Sequence, residues 1–340
     1  MELSERKERI LSILTDAYLQ TGEPVGSKWI VEQLGNSVSS ATVRNEMVDL
    51  SALGYLDQPH TSAGRIPTAK ALRLYIDKLM KPEPLNDESK RVIDAALERT
   101  TDPGSLMETA SEILAQQTGC AAVTTTPLEQ LAMVKKLEII PVSTHAVALL
   151  LMTTTGTLHT RVCRLMMPVK PEVYPQLAEM ITEAFAGKGL SEIGLPQIQA
   201  LLVSMGSESL ACAPIVTAVF ELVKESAEAN VLFNGQMNLL SHPDYAPDDV
   251  HMLLGFLSER GRLAQLMQAH SGGLQVVFGN ESHTPELIGT SLIVTRYEPR
   301  GGNGSMGLIG PQRMRYDIAI PTLEYMASAV GRVFTQFMEE

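Results

Sequence analysis

Apolar residues near the N-terminus recur every three or four positions. Ile10, Leu11, Leu14, Tyr18 and Leu19 fall on one helical face, and Gly22 breaks it. Pro24 and Gly26 make a turn, after which Ser27 is placed to cap a short helix with Ile30, Val31 and Leu34 inward, stopped by Gly35-Asn36. A third helix is expected at once: Ser39 or Ser40 caps it, Val43, Met47, Leu50 and Leu53 share a face, and Gly54 closes it. Three short helices joined this tightly predict a helix-turn-helix. Tyr55-Leu56 reads as a short strand, PHTSAG as a turn, and Arg65-Ile66 as a returning strand stopped by Pro67, which together make a wing. A further helix is expected over 68–80, followed by a Pro-interrupted linker at 81–87.

Beyond the linker the pattern predicts helices at about 88–99 and 105–117 and a strand at 120–126. A three-strand meander follows at 135–142, 146–154 and 158–165. Helices come next at about 171–186, 195–205 and 212–229. A strand over 231–235, a helix over 248–268, three more strands and a terminal helix over 323–338 complete the chain. The meander with its helices, 127–228, is placed to form a compact unit inserted between two strands of an outer α/β domain.

At 340 residues, two or three domains are expected. No apolar run approaches the ~18 residues of a membrane span, and MELSERKERI carries charges where a signal peptide is apolar. A cytoplasmic location with no membrane partner is the expectation. Cys120, Cys163 and Cys212 are scattered and odd in number, which suggests reduced, buried thiols rather than disulfides or zinc. The net charge of −12 disfavours nucleic acid only if it is spread evenly. It is not: residues 1–80 hold nine Lys/Arg against ten Asp/Glu, the remainder 18 against 29, and 58–76 carries Arg65, Lys70 and Arg73 with no acid. DNA binding at that basic edge is allowed.

Six blocks carry more than periodicity: PVGSKWI (24–30), SSATVRNEM (39–47), LSALGYL (50–56), PHTSAGRIPT (59–68), NGQMNLLSHPDY (234–245) and GLIGPQRMRYD (307–317). In order and spacing the chain resembles the HrcA family of heat-inducible transcription repressors over nearly its whole length. ALRLYID at 71–77 departs from the usual Gly-Tyr-Arg start. The resemblance implies an α+β multidomain fold: a winged helix-turn-helix (1–80), the linker, and a GAF-like α/β domain (88–126 and 229–340) interrupted by an inserted α+β dimerisation domain (127–228). It also implies an inverted-repeat operator ahead of chaperone operons, and GroE chaperonin as the partner that maintains the active repressor. A homodimer on double-stranded DNA is the working expectation.

With Val43, Met47 and Leu50 inward, Ala41, Asn45 and Val48 lie opposite, flanked by Thr42 and Arg44; this is the stretch a recognition helix presents to the major groove. Asn45 suits a bidentate pair to adenine, and Arg44 suits guanine or phosphate. Ser39, Ser40 and the helix N-terminus suit a backbone phosphate, although capping is the commoner role of such serines. In the wing, His60, Thr61, Ser62 and Arg65 are placed to reach the backbone or minor groove. The blander reading of Arg44 is an exposed charge paired with the acids of 46–49.

Three catalytic or metal signals fail. GNGSMG at 302–307 matches GxGxxG, but no helix begins there and a hairpin loop is expected. His242, Asp244, Asp248, Asp249 and His251 hold metal-type ligands, yet two prolines and the preference of acids for helix N-termini explain them. No nucleophile elbow is present, so neither an enzyme nor a cofactor is expected. The seventeen methionines read as core packing. A rival reading is a ligand-sensing regulator, switched by a small molecule in the GAF-like domain.

Overall fold

Ser4 accepts the Lys7 N–H and caps α1 (Glu5–Thr21), which ends where Gly22 turns left-handed at φ 74°. The description comes from a computed structural model and covers residues 3–60, 64–125, 132–154, 157–206, 209–227, 231–270, 272–282, 284–298 and 304–339. α2 (Ser27–Gln33) and α3 (Ser40–Ala52) pack on α1 around Ile10, Leu14, Ile30, Val43 and Leu50, all fully buried. β1 (Leu56–Asp57) and β2 (Ile66–Pro67) pair antiparallel as the wing, one residue further along than the pattern predicts. Arg65 pairs instead with Val25 through two backbone bonds of 2.9 Å, which sets this register. A side chain at Gly64 would sit 2.4 Å from the Val25 carbonyl oxygen, so only glycine allows the approach. The helix expected over 68–80 divides into α4 (Ala69–Leu74) and a π-helical turn, Tyr75–Leu79.

α5 (Asp87–Leu97) and α6 (Pro103–Thr118) lead into β3 (Ala121–Thr125). The meander follows as β4 (Val134–Ser143), β5 (Ala146–Thr153) and β6 (Leu158–Arg164), with α7 (Val173–Phe185), α8 (Leu195–Ser204) and α9 (Ser209–Ala227) packed on one face. These elements share a core of their own, including Val147, Leu149, Leu151, Phe185 and Ile215. The chain then resumes as β7 (Val231–Asn234), α10 (Gln236–Leu240), α11 (Pro247–Ser258), α12 (Arg260–Ala269), β8 (Gln275–Phe278), β9 (Thr290–Tyr297), β10 (Gly304–Pro311) and α13 (Tyr316–Glu339).

The five strands order as β7-β3-β10-β9-β8, every pair antiparallel. Side chains alternate between two cores. Ala122, Ile293, Leu308 and Phe278 face α5, α6 and α13, whereas Ala121, Val123, Leu292, Val294 and Ile309 face α11 and α12. Burial on both faces explains why Leu292, Ile293 and Val294 of β9 and Leu308 and Ile309 of β10 are consecutive apolar residues rather than alternating with polar ones. Three differences from the sequence reading stand out. The helix expected over 248–268 breaks at Glu259 into α11 and α12. α13 starts seven residues earlier than expected, because Pro321 lies in its second turn and removes only the bond to the Asp317 carbonyl. A short α10 falls between β7 and α11, where the pattern predicts no element.

Candidate nucleic-acid interface

α3 buries Val43, Met47 and Leu50 and exposes Ala41, Arg44, Asn45 and Val48, the division its periodicity predicts. Ser39 is the cap: its hydroxyl accepts the Thr42 N–H at 3.1 Å and lies 2.9 Å from the Thr42 hydroxyl. The Ser40 hydroxyl instead meets that of Ser27 at 3.1 Å, tying the start of α3 to the start of α2. Ser27 does not cap α2, since Gly26 occupies that position with no side chain to offer.

The acids near Arg44 are paired with cations of α1. Lys7 bonds Glu46 at 2.8 Å and Asp49 at 3.0 Å, and Arg6 lies 3.6 Å from Glu46. Those hydrogen bonds raise the Lys7 pKa above the ordinary lysine value. Among the described residues Arg44 and Asn45 therefore keep their hydrogen-bonding groups free, and the blander reading of Arg44 does not hold. Such a face can hold its side chains ready for base edges with no intramolecular bond to break first.

The wing contributes less charge than its sequence promises. His60 is exposed, Thr61 and Ser62 lie outside the described residues, and Arg65 is half-buried with its Nε unpartnered. Lys70 donates to the Leu53 carbonyl at 2.8 Å over the Tyr55 ring, satisfying the C-terminus of α3. Arg73 turns away from the wing to bond the Val276 carbonyl and Glu281, each at 2.6 Å. Of the three cations between 58 and 76, only Arg65 stays on the wing. Sequence reasoning missed both engagements, because the partners are not local: Lys70 and Leu53 stand 17 residues apart, Arg73 and Val276 203.

No group of three or more metal-type ligands forms among the described residues. Arg313 occupies Asp244 instead, through Nε to Oδ2 at 2.9 Å and Nη2 to Oδ1 at 2.7 Å. Burial pushes the His242 pKa below its ordinary value, with Asp244 opposing. The second half of GNGSMG is strand: Gly304 pairs with Tyr297 at the start of an antiparallel ladder, and the connecting residues 299–303 lie outside the described residues. All three cysteines are buried and free. Among the described residues, no helix is long and apolar enough to cross a membrane.

Residues 2–79 match the family described as "Winged helix-turn-helix transcription repressor, HrcA DNA-binding", and residues 104–320 match "HrcA protein C terminal domain". The heat-inducible transcription repressor HrcA of Lachnoclostridium phytofermentans is 32% identical over 341 residues, covering 98% of each chain. That of Syntrophobacter fumaroxidans is 32% identical over 353 residues, covering 100% of this chain and 98% of its own. That of Acetivibrio thermocellus is 30% identical over 336 residues, covering 96% and 95%. A crystal structure titled only as a hypothetical protein at 2.2 Å shares the fold, with a TM-score of 0.66, 24% identity, and coverage of 98% and 99%. The chain belongs to the HrcA family of heat-inducible transcription repressors, and is a winged-helix DNA-binding regulator rather than an enzyme.

Proposed function

We propose that the chain represses chaperone operons in the cytoplasm as a homodimer on an inverted-repeat operator, each half-site read by one α3. The free, solvent-facing Arg44 and Asn45 carry this reading. Asn45 pairs an adenine, Arg44 a guanine or phosphate, and Ser39, Ser40 and Thr42 bring the start of α3 to the backbone. His60, Thr61, Ser62 and Arg65 follow the adjacent backbone or minor groove. The five-stranded sheet with helices on both faces is assigned as the GAF-like domain, 88–126 and 229–340. The unit at 127–228 is assigned to dimerisation. Its sheet supports this: helices cover one face, while the other presents Ile140, Leu158 and Val162 at 44%, 52% and 67% exposure. Ile140, Ala148 and Val162 align across the three strands, so a second copy has an apolar row to cover, beside the exposed Lys136–Glu138 ion pair on the same face. GroE chaperonin acts as the partner that maintains the active form.

The test uses the full chain and sheared genomic DNA of its source organism, with bound fragments sequenced. An inverted repeat enriched upstream of chaperone operons is expected, and retention without sequence preference would overturn the reading. The second reading, a ligand-switched regulator, is favoured by a cavity of about 910 Å3 lined by Asp16, Tyr75, Lys81 and Arg315. That cavity lies where the winged helix meets the body, not within the sheet domain. Thermal-shift screens with metabolites and, separately, with GroE chaperonin discriminate between the two readings.

A further inference from the structure

The winged helix is bolted to the body at two places. At one bolt Arg313 lays its guanidinium on Gly22, so closely that a Cβ there would lie 2.5 Å from Cζ. Gly22 closes α1, whose last turn has no basic residue of its own. Arg313 thus brings from the body the positive charge that a helix C-terminus attracts, and it donates from two of its nitrogens to the two oxygens of Asp244, which hold it there. At the other bolt Arg73, carried by α4, reaches out of the winged helix to the Val276 carbonyl and Glu281, its guanidinium 4.8 Å from the centre of the Phe278 ring. In addition, Leu19, Leu72 and Tyr75 sit in the same buried cluster as Tyr316 and Leu323, so the boundary between the two parts runs through a hydrophobic core.

This geometry decides a question about specificity. A free seven-residue tether has an r.m.s. reach of about 15 Å. Each base pair inserted between half-sites moves them ~3.4 Å apart and rotates them by roughly 35°. A tethered pair of winged helices would absorb several such insertions; a bolted pair would absorb none. We infer that Arg313, Asp244 and Arg73 are specificity-determining residues that never touch DNA: by fixing the winged helix on the body they set the half-site spacing the dimer accepts. This inference rests on the dimeric, two-half-site reading above.

The experiment selects bound duplexes from a random-sequence pool, using the full chain and its Arg73→Ala/Arg313→Ala variant. The wild type should enrich an inverted repeat with one spacer length. The variant should enrich the same half-sites over several lengths. In direct titration, the wild type should prefer its own spacer over one longer by two base pairs by at least ~10²-fold, the gain that a well-matched second contact gives. The variant should fall within about fivefold, with unchanged affinity for a single half-site and unchanged sedimentation as a dimer. If the double variant does not fold by circular dichroism, Arg313→Lys carries the test, since it keeps the charge beside Gly22 and loses the two-pronged grip. One spacer shared by wild type and a folded variant would overturn the inference and leave the dimer reading standing, as would several spacers for the wild type. Half-sites enriched singly, with no repeat, would overturn both.

Discussion

Replacing Asn45 by Ala removes the amide proposed to face an adenine and nothing that holds the protein together. The side chain is exposed on α3 and has no intramolecular partner among the described residues. Alanine is the better helix former by up to ~0.7 kcal/mol, so the melting temperature should hold or rise. A lost bidentate base contact costs about 1–3 kcal/mol, or roughly 5- to 160-fold, at one half-site. A symmetric dimer loses it twice, which puts the operator penalty at ~2–6 kcal/mol if the half-sites act independently. Fluorescence anisotropy with labelled operator measures the penalty, and a set of duplexes with each base pair exchanged in turn locates it. The variant should bind all four bases at one position per half-site with equal affinity, and should discriminate elsewhere as the wild type does. Undiminished operator affinity, or a loss spread over every position, would refute the role given to Asn45.

Arg65→Ala should weaken operator and nonspecific DNA alike and flatten the salt dependence by about one phosphate charge per protomer, as seen in titrations across salt concentration. Val162→Glu places a charge in the exposed apolar row of the three-strand sheet and should yield a folded monomer by sedimentation. Asp16→Asn should raise thermal stability at pH 7, with the advantage shrinking towards pH 4. The Asp16 carboxyl accepts the Tyr75 hydroxyl, and burial raises its folded pKa above the unfolded value. The stability this raised pKa confers is present only at low pH and is lost as pH rises through the folded pKa; the amide keeps the acceptor without the charge. Tyr316→Phe should lower stability by about 1–3 kcal/mol in denaturant titration, because its buried hydroxyl bonds both Ser291 and the Gln312 carbonyl.

The helix-turn-helix was legible because its information is local. Caps, breakers and apolar spacing in 4–54 each act within one or two turns, and Ser39 and Gly22 behave as their positions predict. The meander was legible too, since its alternation reflects one covered face. Side-chain commitments across the fold were not. Lys70 and Arg73 read as a basic edge, yet one satisfies the end of α3 and the other crosses to the Val276 carbonyl. Asp244 resembled a metal ligand beside His242 because its actual partner, Arg313, stands 69 residues away. Charge composition counts cations without saying whom they face, and only packing decides that.

β3 and β7 are neighbours in the central sheet, with Thr125 opposite Val231. About a hundred residues thus leave and re-enter the sheet through a doorway one strand spacing wide, near 5 Å. A segment hung this way behaves as a cassette. It can grow, shrink or be exchanged for another module without stretching the ladder that receives it. If that segment carries the dimer, as proposed, oligomerisation and DNA reading can change at independent rates within one lineage, and a designer can graft a coiled coil into that doorway to build a repressor with a chosen assembly constant.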